Sequence, residues 1–466
     1  MLNFSEYKDA ERVFYFFEEI SKIPRGSGNT EKIADFLVNF AIEKNLAHYR
    51  DGANNVIIKK PAARGYESRP TVILQGHTDM VIAIEPDVTR DIEKDGLELY
   101  IDGDFLRARG TTLGADNGIA VSYMLALLED SFAEHPALEC LFTSDEEIGL
   151  IGASELDAAQ LDGKIMLNLD SDDEGIFIAG CAGGMRMDIR LDTEKTTERD
   201  AYKLSVHGLL GGHSGAEINK GRINAIKLLA DIIPDGAMIG GVSGGNADNA
   251  IPRNAECYIA NADKISDKIE EALEKYKACE QGLAIEYTKF GKAALLSEAD
   301  TTRVLSLIRE EPCGPIAMNK EMPTLVETSL NHGIISSDAE GVNLTISLRS
   351  SKDQEKLALA DRVTDIAKKY GCKVNTHGSY PGWEYKQQSH LREVLTSTYE
   401  KLTGKVAKVV TIHAGLECGI FSGKIKDLDC VSFGPTAYDI HTTEERVSLS
   451  STESVYKLLK EALKAI

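Results

Sequence analysis

The sequence predicts an α/β protein: a mostly parallel, doubly wound sheet as catalytic domain, with an inserted α+β lid or dimerisation domain. Three compact apolar runs end abruptly in polar residues, in PTVILQGHTD, ALECLFTSDEEIG and KIMLNLDSDDEG. Buried strands of a parallel sheet have this pattern where they reach a site. The helical pattern GIAVSYMLALLED lies between the first two runs. Helices that alternate with apolar strands are typical of a sheet covered on both faces.

The N-terminal segment predicts two helices before the first of these strands. The first runs from Ser5 to about Ile23 and ends at Pro24 and Gly26, and its stripe is formed by Val13, Phe16, Phe17 and Ile20. The second runs from Thr30, as N-cap, to Lys44, and its stripe is formed by Ile33, Phe36, Leu37 and Phe40.

From about Gly184 the pattern changes to alternating strands such as MRMDIRL, KLSVHG, AECYIANA and GVNLTISLRS. Helices are expected over about 224–233, 266–278 and 353–369, and this mixture predicts an antiparallel α+β module. After Trp383 a helix, an apolar strand near Val431 to Phe433 and a helix from about Ser450 follow. We therefore predict a catalytic domain in two parts, residues 1–183 and 384–466, interrupted by a lid and dimerisation domain over residues 184–383.

The composition excludes several classes of function. A formal charge of -22 without basic clusters argues against a nucleic-acid partner. The chain contains no run of apolar residues long enough to span a membrane, and its N-terminus does not resemble a secretory signal. The eight cysteines are scattered without a CxxC pair, as in reduced intracellular proteins. We expect a cytoplasmic protein.

Two strand ends present candidate metal ligands. In GHTDM, His77 can offer a ring nitrogen to a metal while Asp79 orients it, although such a pair at a strand end is often structural. Asp170 ends the strand in LNLDSDDEG. A calcium-loop interpretation of this segment fails, because the position of the required glutamate is Cys181.

Three further acids and one histidine complete the candidate set. Asp116, in TTLGADNGIA, precedes a helix and has the alternative interpretation of an N-cap. Glu146 and Glu147 are adjacent at a strand exit, so one can bind metal while the other accepts a proton from water. A solvated acidic turn is the alternative for this pair. His441, in DIHTTEE, is informative only together with the others.

Together these residues have the composition of a site in which two divalent metal ions share a carboxylate and a water. Mixed histidine and carboxylate ligands without cysteine favour zinc, with cobalt or manganese as alternatives.

The motifs GHTDM, GADNG, DEEIG, NLDS and DIHTTEE occur in the same order as in the co-catalytic metallopeptidases that include aminoacylase, glutamate carboxypeptidase and the carnosinases. The details GTTLGADNGIA, GCAGG and HAGLECG resemble the branch of bacterial aminoacyl-histidine dipeptidases, also called peptidase D. The resemblance extends over nearly the whole chain. It implies a dipeptidase that hydrolyses Xaa-His or carnosine-like dipeptides, with a broader dipeptidase, a tripeptidase or an N-acyl-amino-acid deacylase as alternatives.

The resemblance also implies a role for each metal-site residue. Asp116 would bridge the two ions, His77 and Asp170 would complete one site, and Glu147 and His441 would complete the other. Glu146 would be the general base, and Asp79 would hold His77.

Further implications concern the inserted domain. It would serve as lid and homodimer interface. His213 would stabilise the oxyanion of the tetrahedral intermediate, and Asn249 and Arg349 would bind the terminal carboxylate of a small peptide substrate. Each of these three residues has a structural role as its alternative. An exposed apolar stripe on the helix near 224–233, formed by Ile226, Leu229 and Ile233, would fit a dimer interface, and packing within the lid would explain it equally well.

Overall fold

The computed structural model describes residues 2–130, 134–194, 196–320 and 323–466. The chain divides into two compact units. Unit 1 comprises Met1–Gly180, Tyr385–Thr411 and Leu416–Ile466, and unit 2 comprises Cys181–Glu384 and Ile412–Gly415. That residues 1–183 and 384–466 act as the catalytic domain and residues 184–383 as the lid stays a prediction.

The first part of unit 1 contains five helices, eight strands and a short 3-10 helix at Ala158–Gln160 among the described residues. The helices are α1 Glu11–Ser21, α2 Glu31–Glu43, α3 Ile92–Asp95, α4 Ala115–Glu129 and α5 Ile151–Glu155. The strands are β1 Ala47–Arg50, β2 Val56–Lys60, β3 Val72–His77, β4 Leu99–Asp102, β5 Phe105–Ala108, β6 Leu138–Thr143, β7 Ile165–Asn168 and β8 Ile176–Cys181, the last of which ends at the first residue of unit 2.

The elements of the inserted segment form a second set. Its strands are β9 Gly183–Asp192, β10 Thr197–His207, β11 Gly212–His213, β12 Met238–Gly244, β13 Ala250–Ile251, β14 Ala255–Ala260, β15 Ala284–Leu295, β16 Gly314–Met318, β17 Val326–Ser337, β18 Gly341–Ser350 and β19 Lys373–Tyr380. Its helices are α6 Ala225–Ile232, α7 Ile265–Tyr276, α8 Glu298–Glu310 and α9 Asp353–Lys369.

The chain then returns to unit 1. The helices there are α10 His390–Thr403, α11 Glu417–Lys424 and α12 Leu449–Ala465. The strands are β20 Lys408–Ile412, β21 Asp429–Ser432, β22 Ala437–Tyr438 and β23 Arg446–Ser448.

The main sheet of unit 1 has the strand order β1-β2-β6-β3-β7-β21-β8-β20. The four central strands, β6, β3, β7 and β21, pair in parallel. The outer pairs β1 with β2, β2 with β6, and β21 with β8 are antiparallel. The predicted fold class is confirmed, and the parallel part of the sheet is its centre.

Parallel pairing brings the predicted strand ends to one edge of this sheet. His77 at the end of β3 lies opposite Thr143 at the end of β6, and Gln75 lies opposite Asn168 at the end of β7. The acids that follow β6 and β7 therefore emerge beside His77. Strands β3 and β6 are buried along their whole length. This burial agrees with their apolar sequences and with a central place in a parallel sheet.

Helices α4 and α11 pack on opposite faces of this sheet. A Cβ at Gly76 would lie 2.3 Å from the side-chain oxygen of Asn117 and 2.5 Å from the Cβ of Ala120, so this glycine allows α4 to approach β3 closely. The preceding side chain, Gln75, contacts Glu417 of α11 instead. Successive side chains of a strand point to opposite faces, so α4 and α11 lie on opposite faces, as a doubly wound sheet requires.

The predicted helices agree with those observed, with shifts at their ends. Helix α1 begins later than predicted, and its apolar stripe is buried as expected. Helix α2 begins directly after Thr30, whose side chain makes no capping hydrogen bond. Helix α9 has the predicted bounds. The apolar side chains of α1, α2, α4, α10 and α12 form one continuous core in unit 1.

Among the described residues, unit 2 is built on an antiparallel sheet of nine strands. Eight of them follow the order β15-β10-β14-β12-β17-β18-β9-β19, and the ninth, β16, pairs with β17. Helices α6 to α9 contribute to its core. Ile226, Leu229 and Ile233 are buried in this core. Packing within the unit therefore explains this apolar stripe, and the stripe gives no support to a dimer.

Candidate metal centre

His77 ends strand β3 within a buried group of carboxylates and is 1% exposed. Its Nε2 lies 3.1 Å from Oδ1 of Asp116 and 3.4 Å from Oδ1 of Asp170. Its Nδ1 lies 3.1 Å from the backbone oxygen of Asp79. A hydrogen on Nδ1 that is donated to this carbonyl leaves Nε2 as the atom that can bind a metal.

Asp116 presents its two carboxylate oxygens to two different histidines. Oδ1 lies 3.1 Å from Nε2 of His77, and Oδ2 lies 3.1 Å from Nε2 of His441. The same nitrogen of His441 lies 2.9 Å from Oε1 of Glu147. A carboxylate with one oxygen on each side is suited to bridge two metal ions.

Three groups of residues within the described chain have ligand atoms that all lie within 4.8 Å of one another. The groups are His77, Asp116 and Asp170; Asp116, Glu147 and His441; and His77, Glu146 and Glu147. The first two groups share Asp116 and together contain the five residues predicted as ligands. Their imidazole nitrogens and carboxylate oxygens, without a thiolate, are a donor set that suits a divalent metal such as zinc. The residues present therefore fit a metal centre.

The charges at this site depend on one another. Burial alone would lower the pKa of His77, but the charge of Asp170 and hydrogen bonds to nearby carboxylates raise it well above its ordinary value. Hydrogen bonds to Asp116 and Glu147 raise the pKa of His441 to about 10. Burial would raise the pKa of Asp116, yet hydrogen bonds from both histidines hold it below its ordinary value. In the protein without metal, protons on the histidines thus balance the carboxylates, and a bound cation would replace those protons.

Glu146 and Glu147 occupy different environments although they are adjacent. Glu147 contacts His441, whereas Glu146 belongs to the group around His77. Burial, with further contributions from nearby carboxylates, raises the pKa of Glu146 well above its ordinary value. The pair is therefore not a solvated acidic turn, and one of its members can hold a ligand position while the other remains close to it.

Asp79 organises the loop that carries these glutamates. It is fully buried, its Oδ1 accepts a hydrogen bond from the backbone N–H of Glu146 at 3.0 Å, and its Oδ2 accepts one from Ser27 at 2.8 Å. The Nδ1 atom of His77 lies 3.4 Å from its carboxylate. Asp79 thus connects His77 to the glutamate pair, a wider role than the predicted contact with His77 alone.

The alternative interpretation of Asp116 as an N-cap is wrong. The cap is Glu445, whose carboxylate accepts hydrogen bonds from the backbone N–H groups of four consecutive residues at 2.8 to 3.3 Å: Leu113, Gly114, Ala115 and Asp116. Because Glu445 satisfies these groups, the side chain of Asp116 is free to face the histidines. The sequence offers one signal for Glu445, its place four residues after His441 in DIHTTEE.

Arg25 is a second residue that the sequence did not reveal. Its buried guanidinium donates hydrogen bonds to the backbone oxygens of Thr78 at 3.0 Å and of Gly114 at 2.5 Å. Burial lowers the pKa of Arg25 to about 10, while the charges of Glu445, Asp79 and Asp116 oppose that shift. Arg25 therefore links the segment after β3 to the start of α4, on which Asp116 lies.

In unit 2, the structure brings the three predicted substrate-binding residues into one region. His213 in β11 lies opposite Ala250 in β13, and the N–H of Ser214 donates to the backbone oxygen of Asn249 at 2.8 Å. Arg349 is buried, its Nη1 donates to the hydroxyl of Tyr380 at 3.2 Å, and its Nε has no hydrogen-bond partner among the described residues. Burial makes the largest contribution to a lowered pKa of His213, and the positive charge of Arg349 lowers this pKa as well.

His413 belongs to the same region of unit 2, and the sequence analysis missed it. Its Nε2 lies 2.7 Å from Oγ of Ser329. Burial, together with the charges of Arg349 and His213, lowers its pKa to about 3. Its signal in the sequence is its place as the first residue of HAGLECG, one of the segments that resemble the family.

The profile of the peptidase family M20/M25/M40 matches residues 73–465. The chain belongs to this family. The predicted resemblance is confirmed, and the matched range contains every residue of the three ligand groups.

Individual relatives agree with this assignment. The chain is 36% identical to the cytosol non-specific dipeptidase of Escherichia coli K12 over 468 aligned residues, which cover 97% of this chain and 96% of the relative. Among solved structures, it matches the aminoacylhistidine dipeptidase from Vibrio alginolyticus with a TM-score of 0.90 and 33% identity, covering 98% of each chain. It also matches the aminopeptidase PepT from Bacillus cereus ATCC 10987 with a TM-score of 0.59 and 17% identity, over 97% of this chain and 98% of that one, a likeness of fold alone.

The helices of this protein can be compared with the length and hydropathy of membrane-spanning helices. Among the described residues, no helix combines the length and the apolar character that crossing a membrane would require.

Proposed function

We propose that this protein is a metal-dependent dipeptidase that holds two divalent ions. His77, Asp116 and Asp170 would hold one ion, and Asp116, Glu147 and His441 would hold the other. The observation that carries this proposal is that each carboxylate oxygen of Asp116 lies 3.1 Å from a different histidine. Membership of the M20 family and the names of two relatives, both dipeptidases, support it.

When bound, the ions supply Lewis acidity toward the scissile carbonyl and lower the pKa of water. Glu146 is the general base in this proposal. Its carboxylate takes a proton from the water that attacks the peptide carbon, and it then gives that proton to the leaving amine nitrogen. Asp79 keeps this base in place, because its Oδ1 accepts a hydrogen bond from the backbone N–H of Glu146. The carboxylate of Asp79 also lies beside Nδ1 of His77, and this contact would keep Nε2 of the ring directed toward the metal.

Zinc is the metal that we propose, with cobalt and manganese as alternatives. The candidate ligands are two histidines and three carboxylates, and none of the three groups contains a cysteine. Imidazole suits zinc well, and carboxylates are accepted by zinc and by manganese.

We infer that unit 2 supplies substrate-binding residues. The guanidinium of Arg349 is buried, and within the described part of the chain its Nε has no hydrogen-bond partner, which suits it to the terminal carboxylate of a small peptide. Asn249 would assist in binding this carboxylate. His213 would stabilise the oxyanion as a hydrogen-bond donor.

The preferred substrate in this proposal is an Xaa-His dipeptide. The similarity to the aminoacylhistidine dipeptidase of Vibrio alginolyticus supports it. The similarity to the non-specific dipeptidase of Escherichia coli favours a second candidate, a dipeptidase of broad specificity. Both candidates use the same metal centre and differ only in their selectivity for the side chain of the substrate.

We further propose a cytoplasmic homodimer that associates through unit 2. The name of the Escherichia coli relative, a cytosolic dipeptidase, supports the cytoplasmic location. On unit 2, the rings of Tyr202 and Tyr287 are stacked, and those of Tyr258 and Phe290 are in tilted contact. Tyr202 is 40% exposed and Phe290 is 51% exposed. Exposed aromatic rings of this kind are frequent at protein interfaces. Light scattering of the purified protein would distinguish a dimer from a monomer.

The deciding experiment measures hydrolysis of β-alanyl-histidine, glycyl-histidine, glycyl-leucine, a tripeptide and an N-acetyl amino acid by the zinc-loaded protein. Preference for the histidine dipeptides supports the first candidate. Equal cleavage of all dipeptides supports the second. Cleavage of the N-acetyl substrate alone would contradict both and identify a deacylase, because that substrate lacks a free α-amino group.

A further inference from the structure

Glu417 is a buried carboxylate close enough to the proposed metal centre for the charges of His77 and Asp170 to act on it. It is the first residue of α11 and is 0% exposed. A carboxylate at such depth costs free energy unless its oxygens have partners. Its Oε2 has two, since it accepts hydrogen bonds from Nε2 of Gln75 at 2.5 Å and from Oγ1 of Thr143 at 2.7 Å.

These two partners connect Glu417 to three strands. Gln75 lies in β3, two residues before His77, and Thr143 is the last residue of β6. Oε1 of Gln75 in turn accepts a hydrogen bond from Nδ2 of Asn168 at 2.5 Å, and Asn168 is the last residue of β7. One buried carboxylate thus joins side chains at the ends of β3, β6 and β7.

The same three strands present the proposed ligands. His77 ends β3, Glu146 and Glu147 follow β6, and Asp170 follows β7. Gln75 and His77 are two residues apart, so their side chains share one face of the sheet. His77 also lies opposite Thr143 in the parallel register. A displacement of Gln75 or Thr143 would therefore change the distances among the ligands.

Glu417 also interacts electrostatically with residues of the proposed metal centre. Its Oε1 has no hydrogen-bond partner among the described residues, and the neighbouring charged groups that act on it include His77 and Asp170. Glu417 also contributes to the environment of Glu146. A buried oxygen without a hydrogen bond is stabilised if positive charge lies nearby, and bound divalent ions would provide that charge.

We propose that Glu417 is a positioning residue of the metal centre, which holds the ends of β3, β6 and β7 at the spacing that the ligands need and offsets the charge of the ions. This inference rests on the proposed function, because it requires that the ligand groups bind metal. Outer carboxylates that orient ligands in this way commonly alter metal affinity by about 10- to 100-fold when they are replaced.

The test compares Glu417→Gln with Glu139→Gln. Glu139 is the control, because it is also a carboxylate with 1% exposure and lies on β6, the strand that ends at Thr143. It accepts hydrogen bonds from the backbone N–H groups of Asp162 and Gly163 and forms an ion pair with Lys59. Both variants are purified without metal, and their thermal unfolding is compared. Zinc affinity is then measured by competition with a chelating dye, and the visible absorption spectrum is recorded with Co²⁺ bound.

We expect Glu417→Gln to weaken zinc binding by about 10- to 100-fold and to shift the Co²⁺ bands, while Glu139→Gln leaves both as in the wild type. A purely structural role would instead lower the thermal stability of both metal-free variants and leave the Co²⁺ spectrum unchanged. Wild-type zinc affinity and an unchanged spectrum in Glu417→Gln would overturn the role of Glu417, while the proposed metal centre would stand. Failure of the wild type and of Glu139→Gln to bind either metal would overturn the metal centre, and with it this inference.

Discussion

Glu445 accepts a hydrogen bond from the backbone N–H of Asp116, so that the residue between the two histidines is held by a carboxylate from a distant part of the chain. Three further N–H groups of the same turn donate to Glu445. Gly114 precedes helix α4 with a φ of 65°, a conformation in which an added Cβ would lie 2.5 Å from the sulfur of Met80. The position of Asp116 therefore depends on Glu445 and Gly114 together.

Replacement of Glu445 by alanine is expected to destabilise the protein without metal. Three of the four hydrogen bonds that it accepts are buried, and each buried N–H group left without an acceptor should cost about 1–3 kcal/mol. Chemical denaturation of the metal-free variant measures this change. Glu444→Ala is the control, because the side chain of Glu444 is 65% exposed and its replacement should change stability by less than about 0.5 kcal/mol. Equal stability of the two variants would contradict the capping role.

Replacement of Glu146 by glutamine should separate catalysis from metal binding. The variant keeps the proposed ligands and loses the base, so kcat is expected to fall by about 10²- to 10⁴-fold while metal content stays the same. Steady-state kinetics and elemental analysis on one preparation measure both quantities. Glu155→Gln, an exposed position in the nearby helix α5, should keep wild-type kcat. An unchanged kcat in Glu146→Gln would reject the proposed mechanism.

The two ligand groups predict different losses of metal. His441→Ala leaves the group of His77, Asp116 and Asp170 intact, so about one ion per chain should remain. Asp116→Ala removes a ligand from both groups and should weaken both sites. Metal content after dialysis against zinc at a fixed free concentration distinguishes the two variants. His48→Ala changes an exposed histidine outside these groups and serves as control. The same metal content in all three variants would show that the groups do not form the two sites.

The buried His332 predicts a dependence of stability on pH. Burial lowers the pKa of His332 to about 3, and the charge of Lys227 contributes to this lowering. An unfolded histidine with a pKa of about 6.5 binds a proton that the folded one does not. Its contribution to stability is therefore present above pH ~6.5 and falls by about 1.4 kcal/mol per pH unit as the pH decreases toward the folded pKa.

Urea denaturation of wild type and His332→Leu at a series of pH values between neutral and acidic tests this expectation. Carboxylates titrate in both proteins, so the informative quantity is the difference between the two unfolding free energies. The wild type should lose more stability than the variant as the pH falls below ~6.5. Parallel curves would show that folding does not lower the pKa of His332.

The parts of the site that could be predicted from the sequence are those with local causes. His77 and Asp170 follow buried apolar strands, and parallel pairing brings such strand ends together. The contacts made by Glu417 could not be predicted in this way. Its partner Gln75 is 342 positions away, and no periodic pattern relates the two residues.

Two other expectations show where local patterns are insufficient. The position of Asp116 before a helix suggested a cap, but tertiary structure supplied Glu445 for that purpose. The stripe of Ile226 and Leu229 on α6 suited either an interface or a core, since periodicity reports only which face is apolar. Which surface covers such a face is decided by contacts between distant segments.

The division of unit 1 along the chain affects when this protein can become active during synthesis. Strand β21, which lies between β7 and β8, and the candidate ligand His441 both belong to the segments that follow residue 384. The ribosome synthesises strand β21 and His441 only after it has synthesised the inserted segment. A nascent chain therefore has an unfinished central sheet and an incomplete ligand set for most of translation. Peptide hydrolysis is therefore expected only from molecules whose synthesis has passed His441, and small peptides in the surroundings should not be attacked by shorter nascent chains.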